Sequence, residues 1–338
     1  MSVPSKPTVI EKSTSDKAAP VRRSRMSKHI KRQADLFTDL DTAFDRRLAL
    51  QQDILANPAL EIGSLGYVAR LIAQFGLPHR DQGPNVHNYS RANGDLTFNV
   101  TSTNQQAIPF GTIPRILLAY VSTEAALNKS KTVRLGSTVS SFLREELGMA
   151  VTGGVNGSIT RLKLQSWRLF NCSISVKAAR TSPDNKLMQR AAAGMLIATN
   201  YADRAATKNA DTLWEGSLTL SQEFYETTIG SKVPFDWRII RGIKDSALAI
   251  DLYFWLNYRM YSLKHPTPVP FFGPNSIHEQ LGTDYEDTRQ GRFNFKAKLA
   301  EQLAELQFFW KELRVEPTED KQSLLLFPSP TSVSPRLK

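Results

Sequence analysis

Val133-Arg134-Leu135-Gly136, then Val139 to Gly148 ending in Leu147-Gly148, then Ser158-Ile159-Thr160-Arg161-Leu162-Lys163-Leu164-Gln165-Ser166-Trp167-Arg168-Leu169-Phe170, read as a short strand, a helix with a glycine stop and a basic helix. A shorter version returns about 137 residues later. Val269-Pro270-Phe271-Phe272-Gly273 matches the strand, Ser276 to Gly282 the Leu-Gly helix, and Arg292 to Trp310 a long basic helix. Self-similarity at a fixed spacing marks one supersecondary unit used twice. Each copy has an apolar helix in front and alternating strands behind, which is the order of a winged helix. The expected fold is therefore α+β and mainly helical, with two tandem winged-helix domains carrying small β-hairpin wings.

The scaffold helix of the first copy opens near Pro114, a residue suited to a first turn, and Ile116, Leu117, Tyr120, Val121 and Ala125 recur at helical spacing. Phe142, Leu143 and Leu147 form the inward face of the next helix, and Gly148 is a left-handed stop. The loop Thr152-Gly153-Gly154-Val155-Asn156-Gly157 follows, with Ser158 placed to cap the third helix. Ile159, Leu162, Ser166, Leu169 and Phe170 then make the buried face, and Arg161, Leu164, Gln165 and Arg168 the other. Ser173 to Lys177 and Leu213 to Leu220 alternate apolar and polar residues like the two strands of a wing, although the 35 residues between them are long for a wing tip. In the second copy Ile250, Phe254, Leu256, Tyr258 and Tyr261 are expected in the core, and Phe293, Ala297, Leu303, Leu306 and Trp310 on the buried side of the last helix. Val315 to Phe327 reads as strand, polar turn, strand.

Ahead of the repeat, Phe37, Leu40, Phe44 and Leu48 space as an amphipathic helix over 35–56 that packs on the main body, and Tyr67 to Phe75 reads as a second helix stopped by Gly76 and Pro78. Asn93-Gly94 before Leu96 to Val100 is a hairpin signal. The expected organisation is a disordered basic arm over 1–34, N-terminal helices and a hairpin over 35–105, winged-helix domains over 106–225 and 226–327, and a disordered Pro/Ser-rich tail over 328–338.

Of a net charge of +11, residues 1–34 supply +7, with nine Lys or Arg against Glu11 and Asp16. Such an arm suits loose, salt-sensitive contact with phosphates. The remaining 304 residues carry only +4, so any nucleic-acid footprint there is local. Asn156 to Phe170 and Thr288 to Lys298 are basic without an acid. We expect Arg161, Gln165 and Arg168 to read bases or backbone, since Arg pairs bidentately with guanine and Gln with adenine, and Lys163 to lie nearer phosphate. Gly153, Gly154 and Gly157 with Ser158 bring amides and a helix start toward a phosphate. In the second copy Arg289, Arg292, Lys296 and Lys298 take the matching role, Arg292 and Lys296 first. Cys172, the only cysteine, is expected to be a buried packing residue. The five histidines are scattered without a metal-ligand pair, so no metal, cofactor or catalytic centre is expected. Ala247 to Leu256, interrupted by Asp251, falls short of the roughly 20 apolar residues of a membrane span, and the start lacks a secretory signal, so a cytoplasmic protein is expected.

Several fragments resemble the plasmid-encoded RepA family of replication initiators. They are Leu77-Pro78-His79-Arg80, Asn93-Gly94, Ile113 to Tyr120, Thr123-Glu124-Ala125, Leu135-Gly136, Phe142 to Gly148, Thr152-Gly153-Gly154, Gly157 to Leu162, Leu213-Trp214, Val233-Pro234, Ala249 to Tyr253, Trp255-Leu256, Leu281-Gly282 and Tyr285. The resemblance runs from about Tyr67 to Phe327. It implies a bacterial plasmid protein that binds repeated sites in double-stranded origin DNA, helps to open it, and recruits the host initiator protein and replicative helicase. It also implies a monomer when initiating and a homodimer when repressing its own gene. A primase or nickase with an unrecognised centre, and a purely transcriptional regulator, are the alternatives on sequence.

Overall fold

The computed structural model describes residues 42–94, 96–135, 138–178, 194–199, 217–282 and 284–333. The basic arm over 1–34, most of the insertion over 178–212 and the last five residues lie outside them. The chain divides into two units, Met1–Ala49 and Leu50–Lys338.

Helix α1 spans 42–56. Phe37 and Leu40 lie outside the described residues and Phe44 is exposed, while Leu50, Gln51 and Ile54 face inward. The buried side therefore begins later in the helix than its apolar spacing suggests. Gln51 also donates from Nε2 to the Phe308 carbonyl at 2.5 Å.

The expected helix over 67–75 is instead a strand, β1 (Leu65–Ala69), followed by one turn, α2 (Arg70–Gln74). Tertiary pairing overrides local spacing here. β1 runs antiparallel to β8 (Lys232–Asp236) with Leu65 opposite Asp236, and buries Val68 and Ala69. The Asn93-Gly94 turn behaves as read: β2 (Asn88–Asn93) and β3 (Leu96–Ser102) pair through it, with Gly94 at φ +58°.

In the first copy α3 (Thr112–Asn128) leads into β4 (Thr132–Arg134). Next comes α4, an α-turn over Val139–Ser141 that continues as a π-helical turn over Phe142–Glu146. Gly148, at φ +59°, stops it. α5 spans Ser158–Phe170, and β5 (Cys172–Ala178) follows. Among the described residues the two expected wing strands do not pair with each other. β5 pairs with β3 on one side and with β6 (Met195–Leu196) on the other, and Ala198 bridges Leu220 just beyond β7 (Ser217–Thr219). The insertion thus threads a short strand between them. β7 closes on β4, so the first and last strands of this copy meet.

α6 (Gln222–Gly230), β8 and α7 (Trp237–Ile243) lead to the second copy. There α8 (Ala247–Ser262), β9 (Thr267–Pro270), α9 (Ile277–Leu281), α10 (Arg289–Phe309), β10 (Val315–Pro317) and β11 (Ser323–Leu326) follow in the expected order. Their sheet runs β10-β11-β9, so again the first strand meets the last. Ser276 caps α9 by accepting from Glu279 N at 3.0 Å.

Both copies contribute to one continuous core. Trp255, Tyr253, Phe254, Phe235 and Trp310 are fully buried, each contributing about 1.5–3 kcal/mol by leaving water. Tyr261, expected inside, is 82% exposed at the end of α8. Residues 328–333, read as tail, are tied down: Ser332 donates from its backbone to Asn257 Oδ1 at 3.1 Å, and Ser329 Oγ accepts from Arg314 N at 3.1 Å. Among the described residues no helix is long and apolar enough to cross a membrane.

Candidate nucleic-acid interface

Gly154 and Gly157 shape the entry to α5. Gly154 takes φ +87°, and a Cβ on Gly157 would lie 2.4 Å from the Gly153 carbonyl oxygen. The turn uses its own amides. Gly157 N donates to the Gly154 carbonyl at 3.1 Å, Ser158 N to Thr152 Oγ1 at 2.8 Å, and Ile159 N to the Thr152 carbonyl at 3.2 Å. The cap position is Gly157, without a side-chain cap. Ser158 is buried, and its hydroxyl donates to the Ala150 carbonyl at 2.7 Å. The glycines and Ser158 therefore hold the loop in shape, and these amides are not open to a phosphate as expected.

Along α5 the buried residues are Ser158, Leu162, Gln165, Ser166, Leu169 and Phe170. Thr160, Arg161 and Leu164 face solvent, and Lys163 is half-buried. Two expected readers turn inward. Gln165 is 5% exposed and accepts the Phe110 backbone N–H at 2.9 Å. Arg168 has a side chain only 12% exposed, with Nη1 3.9 Å from Asp81 Oδ1 and its guanidinium 5.4 Å from the centre of the Phe110 ring. The segment leading into α3 covers this flank of α5. Helical spacing within α5 carries no signal of it.

In α10 the buried stripe is Phe295, Leu299, Gln302, Leu303, Leu306 and Phe309. Phe293 is 67% exposed and Ala297 is exposed, so the expected phase is corrected. Phe295 sets the observed one by packing on His278, Tyr285 and Phe272, with ring centres 5.1, 5.3 and 6.1 Å away. Arg289 and Arg292 are exposed at the start of the helix. Arg292 forks onto Asp287 at 2.5 and 3.0 Å, an exposed pair open to exchange for another anion. Lys296 folds back, donating to the Lys321 carbonyl at 2.6 Å over the Phe271 ring, and Lys298 pairs with Glu301 at 2.7 Å. Lys296 is thus engaged within the protein, while the Lys298 pair is as exposed as that of Arg292.

A polar joint between the copies was missed on sequence, where Asp251 was read as a break in an apolar run and as one residue of a family-like fragment. Arg115 of α3 donates from Nε to Asp251 Oδ1 of α8 at 2.7 Å and from Nη2 to Oδ2 at 2.6 Å. It also donates to the Gly111, Pro78 and Leu77 carbonyls. His79 Nε2 lies 3.0 Å from Asp251 Oδ2, and a Cβ on Gly76 would meet that oxygen at 2.3 Å. Burial pushes the Asp251 carboxyl up, but the Arg115 charge and the hydrogen bonds from His79 and Arg115 outweigh it and hold the pKa down to about 2. Burial holds the His79 imidazole below its ordinary value, with the Asp251 hydrogen bond working against it. Several fragments that carry the family resemblance meet here: Leu77 to His79, Arg115 and Asp251. Cys172 is fully buried, and burial pushes its thiol up to about 12. Among the described residues no cluster of His, Cys, Asp or Glu is arranged to hold a metal.

Residues 108–267 match the family model of plasmid encoded RepA protein, so the resemblance read from the sequence is shown over that stretch. It covers the first copy and the scaffold helix of the second. A crystal structure of domains 2 and 3 of RctB is similar with a TM-score of 0.47 at 14% identity, covering 76% of this chain and 96% of that one. A second structure of RctB domains 2–3 gives 0.43 at 12% identity, covering 76% and 95%. No curated protein matches the chain.

Proposed function

We propose that this protein is a plasmid replication initiator that binds repeated sites in double-stranded origin DNA through two tandem winged-helix domains. The match of residues 108–267 to plasmid encoded RepA protein carries the reading. The repeated order of elements supports it, because in each copy the strand after the scaffold helix pairs with the last strand, leaving the third helix to enter a major groove. On α5 we assign Arg161 to base edges and Lys163 to phosphate. On α10 we assign Arg289 and Arg292, whose partner Asp287 is exposed and exchangeable. Gln165 and Arg168 take positioning roles. The protein acts in the cytoplasm by binding, opening the origin and recruiting the host initiator and replicative helicase, and a homodimeric form represses its own gene.

Gel shifts with a fragment from beside its gene and a shuffled fragment of equal composition test this. The expected preference for the natural fragment is about 1,000-fold or more at physiological salt. Equal affinity for the two fragments overturns the reading.

A further inference from the structure

A cavity of about 350 Å³ lies where the β2–β3 turn, the end of α8 and β9 come together, with Gln74, Asn93, Trp255, Arg259, Asn275 and Gln280 in its walls. Its size is at the small end of ligand cavities. Among the described residues no carboxylate lines it. Arg259 is half-buried with its guanidinium 5.4 Å from the centre of the Trp255 ring, an arrangement that restrains the guanidinium plane. The three buried arginines are each satisfied from within the chain, Arg91 by donating from Nε to the Glu279 carbonyl at 2.9 Å. Arg115 forks onto Asp251, and Arg238 onto Asp236 and Asp53. Among the described residues the Arg259 guanidinium has neither an ion pair nor a hydrogen bond. A partly desolvated cation without a counter-charge is costly, and burial draws its proton affinity below that of ordinary arginine.

The surrounding polar groups are fixed rather than adaptable. Trp255 Nε1 donates to Gln280 Oε1 at 2.8 Å, Gln280 Nε2 to the Asn275 carbonyl at 2.9 Å, Gln74 Nε2 to Tyr258 Oη at 3.1 Å, and Asn93 Nδ2 to the Gln74 carbonyl at 3.3 Å. We propose that this cavity is a phosphate-binding site in which the guanidinium of Arg259 supplies the charge and the fork of donors. Two sources share that chemistry: a free phosphate ion or ester, and the phosphodiester backbone of DNA. Only the second rests on the function proposed above.

The test uses the full chain with Arg259 intact, Arg259→Gln and Arg259→Lys. The first arm compares thermal midpoints in sodium phosphate and in sodium chloride at matched ionic strength. The second measures how affinity for a short duplex unrelated to the origin falls with salt. A free-ion site raises the wild-type midpoint in phosphate, leaves Arg259→Gln unmoved and gives Arg259→Lys part of the gain. A backbone site reduces the salt slope by about 0.9 in Arg259→Gln, one phosphate contact fewer, with or without the first effect. Identical behaviour of all three proteins in both arms overturns the site. Should Arg259→Gln fail to fold, the wild-type phosphate response against Arg259→Lys still decides, an absent or equal response overturning the site. Should wild type bind no DNA at all, the initiator reading fails while the phosphate arm still judges the cavity.

Discussion

Gly157 illustrates how a single residue positions a whole helix. Its missing side chain lets the Gly153 carbonyl approach to within 2.4 Å of where a Cβ would stand, and Thr152 closes over the start of α5 in consequence. Gly157→Ala is expected to lower stability by about 1–3 kcal/mol and to weaken DNA binding with it, measured by urea melts and gel shifts of the same preparation. Unchanged melting would contradict this. Asp251 has a different signature. Its folded pKa of about 2 lies below the ordinary 3.8, so the unfolded chain binds more protons between these values, and stability falls as pH drops through that window. His79, also held below its ordinary value of 6.5, makes stability fall as pH drops below 6.5, because its folded form resists protonation. Asp251→Asn is expected to cost about 3–5 kcal/mol at neutral pH and to remove the acid window, while His79→Gln flattens the first decline. Urea midpoints across pH check both. A variant with the wild-type midpoint at pH 7 would deny the joint its role.

At the scale of elements, spacing was most informative where one face of a helix meets one core. The whole of α5 from Ser158 to Phe170, the start of α9 at Ser276 and the hairpin at Gly94 are all legible in the chain. Spacing was silent on what covers the other flank. Gln165 and Arg168 lie on the polar side of α5, yet the chain around Phe110 crosses over them. α10 offers two apolar phases, one through Phe293 and Ala297 and one through Phe295 and Leu299, and only contacts with His278 and Tyr285 choose between them. β1 was hidden because its partner strand lies more than 160 residues away. These corrections separate two residues that look alike on sequence. Arg161→Ala is expected to cost about 1–3 kcal/mol of origin binding without changing the melt. Gln165→Ala is expected to lower stability by about 1–3 kcal/mol, since Phe110 N–H loses its acceptor, while origin discrimination stays near that of wild type. Competition gel shifts alongside melts distinguish them, and loss of discrimination in Gln165→Ala would return it to the DNA face.

For the whole molecule, the two stretches share the order helix, strand, helix, long helix, and in each the strand after the first helix pairs with the last strand. The long insertion in the first copy obscured its sheet by placing β6 between β5 and β7. The joint between copies was unreadable because Arg115 and Asp251 lie 136 residues apart, and no local spacing pairs them. The core common to the two copies ties their helices to one frame, so under the proposed function α5 and α10 read neighbouring parts of one site. Hydroxyl-radical footprinting of the origin with wild type, Arg161→Ala and an Arg289→Ala, Arg292→Ala double variant tests this most directly. Each variant is expected to lose protection over a different part of every repeat, the two parts about one helical turn apart. Loss of the same positions in both variants, or a wild-type footprint in both, would contradict it.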